Sequence, residues 1–195
     1  MMKVRHSFYT RSDTVQVARD MLGMVLVHDG EDGLTAGRIV ETEAYCGGED
    51  RGCHAYGMKR TPRTEVMFSY GGVAYVYLCY GIHHMFNVVT HSEGEPHAIL
   101  VRALEPTEGL DLMRKRRKTD KLTALCSGPG KLGMAMGFHT TQSGTSLLGN
   151  RIWLEGEPGQ VSGNIAEGPR VGMNFDGFYR TVPWNFRLAG SKFVS

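Results

Sequence analysis

Arg38-Ile-Val-Glu-Thr-Glu-Ala-Tyr-Cys-Gly-Gly-Glu-Asp-Arg-Gly-Cys-His54 begins with a strand pattern and ends as a glycine-rich loop. Successive side chains of a strand alternate between its two faces. The alternation predicts one face with Ile39, Glu41, Glu43 and Tyr45, and an opposite face with Val40, Thr42 and Ala44. A strand that ends in a loop can hold reactive groups rigidly beside an opening. An edge strand with solvated charges would give the same pattern.

Length and composition indicate a single domain. The chain has 195 residues, of which 41% are hydrophobic and 22% charged, as in ordinary globular proteins. No apolar run is long enough to cross a membrane, so we expect no membrane partner. The opening Met-Met-Lys-Val-Arg-His leads into no apolar segment. We therefore expect no signal peptide, and a location in the cytoplasm or nucleoid, or in the nucleus of a eukaryote.

The cysteines do not form a disulfide or metal framework. Four are scattered along the chain, at positions 46, 53, 79 and 126, with no Cys-x-x-Cys pair. Reduced thiols are the ordinary state in that case. A zinc site from Cys46, Cys53 and His54 is conceivable, but the spacing matches no standard pattern. We expect no metal and no cofactor.

Charge is balanced overall but clustered locally. The formal net charge is only +2. One basic run is Arg114-Lys-Arg-Arg-Lys118, and a second group contains Lys59, Arg60 and Arg63. Such runs are usually solvated surface. Two of them on a balanced chain give a modest indication of a polyanionic partner.

Periodicity and turn residues predict an α+β order of elements. Helices are predicted at 14–22, from the Glu105-Pro-Thr107 segment to about residue 118, and at 131–136. Strands are predicted at 24–28, 34–45, 73–79, 84–90, 98–104, 151–155, 170–173 and 184–188. The first residues are expected to be extended, and 156–168 to be a loop. Residues 46–72 lack a clean period, and a loop this long in a compact domain is usually functional or disordered. Its apolar and aromatic residues favour an ordered loop beside a site.

Two residues do not suit their predicted surroundings, and a third lies at a candidate phosphate site. Tyr80 lies at the tip of a predicted hairpin, where Asn, Asp, Gly or Ser is usual. It either packs on a neighbouring loop or enters something else. Arg102 interrupts an apolar strand and needs a partner such as Glu43, or an exposed strand end. Lys131 opens a short helix after Ser-Gly-Pro-Gly, which suits a phosphate although the spacing is not that of a P-loop.

A strand-end carboxylate, a loop histidine and clustered tyrosines suit hydrolysis at a sugar–base bond, because a carboxylate can activate water and aromatic faces stack on bases. They also suit binding without catalysis. In addition, five motifs occur in an order and spacing that resembles the alkyladenine (3-methyladenine) DNA glycosylase family. The motifs are Arg38-Ile-Val-Glu-Thr-Glu-Ala-Tyr45 with His54, Tyr75-Val-Tyr-Leu-Cys-Tyr80-Gly, Asn87, Arg102-Ala-Leu-Glu-Pro106 and Leu125-Cys-Ser-Gly-Pro129.

The resemblance implies a residue-by-residue assignment. Glu43 would be the general base that activates water, with Arg102 and the backbone carbonyl of Val171 contacting the same water. The base pocket would contain Tyr45 and Tyr77 as stacking faces, His54 at the base edge and Asn87 as the group that excludes guanine. Tyr80 would fill the gap left in the DNA stack. Contacts to the DNA backbone would come from Lys59, Arg60, Thr61 and Lys131.

The resemblance also implies fold, reaction and partners. Residues 1–195 would form one mixed α+β domain with a curved antiparallel sheet, surrounding helices and a protruding β-hairpin. The protein would act as a monomer on double-stranded DNA that contains damaged purines. It would flip 3-methyladenine, 7-methylguanine, hypoxanthine or ethenoadenine out of the duplex and hydrolyse the N-glycosidic bond, in base excision repair.

Two other classes of function remain open from sequence. One is a non-catalytic module that binds nucleic acid in the same groove, and the other is a hydrolase of free nucleosides. The chain also departs from the family pattern. The loop between Asn87 and Arg102 is longer by two residues than in vertebrate members, and Cys46 and Cys79 are expected beside the pocket. These differences bear on which lesions fit.

Overall fold

The computed structural model describes residues 2–161 and 163–195. Among these residues the strands are β1 (Val25–Gly30), β2 (Gly33–Cys46), β3 (Ala74–Cys79), β4 (His83–Thr90), β5 (His97–Glu108), β6 (Ile152–Glu155), β7 (Ile165–Gly168) and β8 (Asn185–Leu188). The α-helices are α1 (His6–Tyr9), α2 (Thr14–Asp20), α3 (Leu110–Arg117), α4 (Pro129–Met136) and α5 (Phe178–Thr181). Short 3-10 turns cover Gly47–Glu49, Tyr56–Met58, Glu65–Phe68, Leu122–Ala124 and Thr140–Gln142.

The strands form one curled antiparallel sheet. Its order is β3-β4-β5-β2-β1-β6, and β8 pairs with both β2 and β7. Strand β2 is the centre, because β5 lies along one edge while β1 and then β8 share the other. The β3–β4 hairpin stands at one end of the sheet. The predicted α+β class, with a curved antiparallel sheet, helices and a hairpin, is confirmed.

Helices α2 and α4 pack against the sheet at β2 and β4. Val17, Ala18 and Met21 on or beside α2 are fully buried in the main core. The Thr42 hydroxyl donates to the Ala18 carbonyl at 2.8 Å, which ties α2 to the middle of β2. Helix α4 approaches β4 so closely that a Cβ on Gly133 would lie 1.9 Å from a backbone oxygen. Glycine is therefore required there.

Strict alternation along β2 is wrong at one point. Residues Ile39 and Glu41 pair with consecutive residues of β5, so Val40 is an extra residue in β2. Ile39 therefore lies in the main core, whereas Val40 packs against Phe193 in a separate cluster. A bulge shifts the side-chain pattern by one residue. Glu41 and Glu43 still share a face, as predicted, but Ile39 does not share it.

Four other element predictions are also wrong. The segment Glu105-Pro-Thr107 continues β5 to Glu108, because pairing with β2 overrides the helix preference of a proline followed by a helical period. Strand β7 occupies 165–168 inside the predicted loop 156–168, of which residue 162 lies outside the described part. The predicted strand at 170–173 is not a strand in the structure. The opening contains α1, stabilised by burial of Phe8 and Tyr9.

Candidate active site

A cavity of about 220 Å³ opens between the end of β2, the β3–β4 hairpin and the loop after β7. Seven of the residues that sequence assigned to catalysis, base binding or insertion line it: Tyr45, His54, Tyr77, Tyr80, Asn87, Arg102 and Val171. The eighth, Glu43, lies just beneath the lining. The structure thus brings together residues from five separate segments of the chain.

Glu43 is completely buried and holds four contacts. Its Oε1 accepts hydrogen bonds from the Val171 backbone N–H at 2.7 Å and from Asn185 Nδ2 at 3.0 Å. Its Oε2 accepts from the Tyr45 hydroxyl at 2.9 Å and lies 3.4 Å from Arg102 Nη1. Residues of the cavity wall contact both oxygens, Val171 at Oε1 and Tyr45 with Arg102 at Oε2, so Glu43 lies directly behind that wall.

Arg102 is bound mainly to the other carboxylate of the strand. Its Nε donates to Glu41 Oε1 at 2.8 Å, whereas its separation from Glu43 is 3.4 Å. Burial alone would lower the pKa of Arg102, but the charges of Glu43 and Glu41 outweigh burial and raise it. Arg102 therefore stays cationic. The sequence left open a carboxylate partner such as Glu43 or an exposed strand end. Arg102 is buried with carboxylate partners, and the nearer one is Glu41.

A buried ion pair fixes the loop that carries Val171. Arg170 donates to both oxygens of Asp50 at 2.5 and 2.7 Å, and both side chains are fully buried. Arg170 also donates to the carbonyls of Ala44 and Tyr179, at 3.0 and 2.9 Å. These bonds hold the following residue so that its N–H reaches Glu43. A contact between the Val171 backbone carbonyl and the catalytic water, which the resemblance implies, stays a prediction.

Tyr45 has one face covered and its hydroxyl engaged. The Arg170 guanidinium lies 4.7 Å from the Tyr45 ring centroid, which leaves the other face for the cavity. Burial and the charge of Glu43 raise the pKa of Tyr45 well above its ordinary value. The hydroxyl therefore stays protonated and donates a hydrogen bond to Glu43.

His54 is held as a neutral ring. Its Nδ1 lies 2.8 Å from the Tyr75 hydroxyl, and its Nε2 lies 3.1 Å from Arg63 Nη2. Since arginine only donates, Nε2 accepts and Nδ1 carries the proton. Burial of the ring and then the charge of Arg63 lower the pKa of His54 to about 4. Both ring nitrogens already have protein partners. A hydrogen bond between His54 Nε2 and the edge of a base therefore requires Arg63 to move.

Arg63 also contacts a predicted stacking residue. Its guanidinium lies 4.7 Å from the Tyr77 ring centroid, and the His54 ring meets Tyr77 edge-on at 4.6 Å. Asn87 is buried, and its Nδ2 donates to the carbonyls of Tyr75 and Met85 at 3.1 and 3.2 Å. The amide of Asn87 is thereby fixed as a rigid part of the cavity wall.

Tyr80 is 91% exposed at the tip of the β3–β4 hairpin. Its φ of +50° is unusual for a residue other than glycine, and the tight turn to β4 imposes it. Leu78 and Ile82 beside it are also exposed. Of the two readings of Tyr80 from sequence, packing on a neighbouring loop does not fit this exposure.

The residues predicted to contact the DNA backbone differ in exposure and in whether they already have protein partners. Lys59 and Lys131 are exposed, with Lys131 Nζ 3.4 Å from the Ser127 hydroxyl. Arg60 pairs with Glu65 at 2.7 Å and lies over the Phe68 ring at 3.9 Å. Thr61 exchanges hydrogen bonds with Thr64 across a turn, at 2.9 to 3.2 Å. Arg60 and Thr61 therefore have structural partners already.

The two cysteines expected beside the pocket are separated. Cys79 lines the cavity, whereas Cys46 lies in another depression with His97 and Trp184. Burial raises the pKa of Cys46 to about 12. Within residues 2–161 and 163–195, no three histidine, cysteine, aspartate or glutamate side chains group as metal ligands. No helix in the described part of the chain has the length and apolar character needed to cross a membrane.

Sequence reasoning missed several residues of the site. Asp50, Arg170, Asn185 and Arg63 were assigned no role there, although all contact residues of the cavity. Only Glu41 carried a usable signal, because alternation already put it on the face of Glu43. The others meet the site through pairings between distant segments, which have no local pattern.

The comparison with known proteins identifies the family. Residues 7–192 match the family model described as Methylpurine-DNA glycosylase (MPG). The chain belongs to the methylpurine-DNA glycosylase family. The resemblance drawn from the motifs is confirmed, and with it the enzyme class, a hydrolase of N-glycosyl bonds.

Curated relatives match all or most of the chain. A candidate 3-methyladenine DNA glycosylase of Desulfitobacterium hafniense is 42% identical over 203 residues, covering 100% of this chain and 99% of the relative. One from Natranaerobius thermophilus is 44% identical over 199 residues, with 100% and 99% covered. One from Chlamydia felis is 41% identical over 184 residues, with 93% and 94% covered.

Proposed function

We propose that the protein hydrolyses the N-glycosidic bond of alkylated or deaminated purines that are flipped out of double-stranded DNA, with Glu43 as the general base. The observation that carries the proposal is a fully buried carboxylate directly behind a cavity lined by tyrosines, in contact with Tyr45, Arg102 and Val171 of its wall. Family membership supports the reaction class. The choice among methylated, deaminated and etheno bases, and action as a monomer, are parts of the proposal.

The proposed step needs only water and the damaged nucleotide. Glu43 Oε2 accepts a proton from a water molecule, whose oxygen forms a bond to C1′ of the deoxyribose. The bond from C1′ to the purine nitrogen breaks, and the purine leaves with the electron pair, so that an abasic sugar remains. Oε1 already accepts two hydrogen bonds, from Val171 and Asn185, whereas Oε2 accepts one, from Tyr45, and so has more capacity to accept from water. General-base catalysis contributes about 10²–10⁴-fold.

The cavity walls would recognise the flipped base. Tyr45 and Tyr77 offer ring faces, and stacking contributes about 1–3 kcal/mol per base. A cationic methylated purine gains further from an electron-rich ring. Asn87 would exclude guanine by contact with its exocyclic amine, because its amide is fixed by two carbonyls.

The hairpin would assist flipping. Flipping costs a few kcal/mol of stacking and pairing. An exposed ring at a protruding tip can enter the minor groove and take the position of the missing base. Tyr80, at 91% exposure, is such a ring at the rim of the cavity. Lys59 and Lys131 would contact phosphates, while Arg60 and Thr61 would first have to release their present partners.

The test is base release from two matched duplexes, one with N-methylated purines and one with hypoxanthine. Wild-type protein is expected to release the base, and Glu43→Gln to bind the duplex but to lose about 10² or more of the single-turnover rate. Glu31→Gln, a change at an exposed carboxylate, serves as the matched control and should retain full activity.

The outcomes separate the three functions. Release by wild-type and control but not by Glu43→Gln supports the proposal, and the ratio of the two rates begins to define the pocket. Binding without release from either duplex would favour the non-catalytic module. Turnover of free nucleosides with little dependence on salt would favour the nucleoside hydrolase, because duplex binding weakens steeply with salt.

A further inference from the structure

We infer that Glu41 and Asn185 are positioning residues with opposite effects on Glu43: Glu41 engages Arg102 and so limits its contact with Glu43, whereas Asn185 donates to both carboxylates and holds them together. The inference rests on the proposed function, since it assigns Glu43 and Arg102 to the reaction. Neither Glu41 nor Asn185 lines the cavity. Both would act through the residues that do.

Glu41 is fully occupied and cannot be a second base. Its Oε1 accepts from Arg102 Nε at 2.8 Å, from Asn185 Nδ2 at 3.0 Å and from the Ser195 hydroxyl at 3.0 Å. Its Oε2 accepts from the Ser195 backbone N–H at 2.7 Å. Burial alone would raise the pKa of Glu41, but these bonds and the charge of Arg102 hold it below its ordinary value. Glu41 is thus a permanent anion.

Glu41 determines how Arg102 is presented. The Nε edge of Arg102 is held by Glu41, and Nη2 donates to the Ser195 hydroxyl at 3.1 Å. Only Nη1 is directed to Glu43, at 3.4 Å, which is longer than a strong charge-assisted hydrogen bond. The hydrogen bonds of Arg102 therefore go to Glu41 and Ser195, while Glu43 interacts with it mainly through charge. If Glu41 were neutral, Arg102 would turn fully to Glu43 and stabilise its anion, which would make Glu43 a weaker base.

Asn185 bridges the two carboxylates. It is 1% exposed, and its Nδ2 lies 3.0 Å from Glu41 Oε1 and 3.0 Å from Glu43 Oε1. Its backbone pairs with Glu43 across β2 and β8. Its Oδ1 has no hydrogen-bond partner among the described residues, so the two carboxylates alone orient the amide. Without this donor the two anions would repel each other, and Glu43 would take up a proton more readily.

The test compares pH–rate profiles of Glu41→Gln and Asn185→Leu, each nearly isosteric. Single-turnover release of hypoxanthine is measured across the pH range together with the Kd for the lesion duplex. For Glu41→Gln we expect the acid limb to move to lower pH by about 1 unit and the plateau to fall about 10-fold or more. For Asn185→Leu we expect the acid limb to move to higher pH by about 1 unit. The Kd should stay within about 2-fold in both.

Opposite displacements of the acid limb are the signature that a structural role would not produce. Equal loss of rate at every pH in both variants, or a wild-type profile without an acid limb, would overturn the inference. If Glu41→Gln does not fold, the displacement in Asn185→Leu decides alone. Burial and also the charge of Glu43 shift the pKa values of Tyr45, Tyr77 and Arg170, and these three groups are unchanged in both variants. Absence of release by wild type would instead refute the proposed function.

Discussion

Asp50→Asn should destabilise the protein strongly, because it removes one charge from a buried ion pair with almost no change of volume. Asp50 and Arg170 are both fully buried, and they share two hydrogen bonds of 2.5 and 2.7 Å. Asp50 also accepts the backbone N–H groups of Cys46 and Gly52, at 3.0 and 2.8 Å. In the variant the side-chain NH₂ group at position 50 would face N–H donors, either those of Arg170 or those of the backbone. The Arg170 guanidinium would also be buried without the charge of Asp50.

The expected magnitude follows from this geometry. Removing one partner of a buried pair costs about 3–5 kcal/mol. The free energy of unfolding of a domain is about 5–15 kcal/mol, so this loss is a large share of it. Each kcal/mol lowers the Tm of a chain of this size by roughly 2–4 °C, which gives a decrease of about 6–20 °C. Urea unfolding followed by circular dichroism measures the difference directly.

Two further variants make the result interpretable. Glu31→Gln breaks the exposed pair with Arg151, which has a separation of 3.3 Å, and should change the unfolding free energy by less than about 1 kcal/mol. The double variant Asp50→Asn/Arg170→Met should recover part of the loss, since no buried charge is left unpaired. A loss below about 1 kcal/mol in Asp50→Asn, or a double variant as unstable as the sum of its singles, would refute the reasoning.

Three other changes test separate parts of the structure. Tyr80→Ala should leave stability within about 0.5 kcal/mol, yet slow single-turnover release from duplex about 10-fold or more without affecting release from single strands; equal rates on both would remove the wedge role. Wild-type His54 binds its proton less tightly than in the unfolded chain, so its contribution to the unfolding free energy rises with pH between about 4 and 6.5. Arg63→Leu should raise the pKa of His54 toward 6.5, as read by NMR of the ring, and flatten that rise; a value still near 4 would leave burial as the only cause. Gly133→Ala should cost about 1–3 kcal/mol in urea unfolding, because its Cβ would meet the His84 carbonyl oxygen at 1.9 Å, and an unchanged midpoint would contradict this packing.

The parts of the fold that sequence predicted are those with a local cause. Strand β2 and the β3–β4 hairpin have the alternation and the glycine turns that define them within a few residues. The odd Tyr80 at the hairpin tip was also visible locally. Motif order then connected these segments to a family, and the family model confirms that connection.

The parts that sequence did not predict depend on contacts between distant segments. Arg170 and Asp50 are 120 positions apart, and Asn185 meets Glu43 across 142 positions. Nothing near either residue marks it, since a lone arginine or asparagine is ordinary in a loop or a short strand. The predicted helix start at Glu105 failed for the same reason. Its preference is local, whereas its pairing with β2 is not.

The failure of alternation in β2 explains how the carboxylates and Arg102 meet. Val40 is an extra residue in β2 where this strand pairs with β5. Arg102 is an extra residue in β5 at the neighbouring position of the same pairing. The first keeps Ile39 in the apolar core while Glu41 and Glu43 face the opposite way. The second turns an arginine of an otherwise apolar strand toward the same carboxylates. The backbone therefore imposes this charge arrangement, and Glu41, Glu43 and Arg102 are buried because the strands leave them no other position.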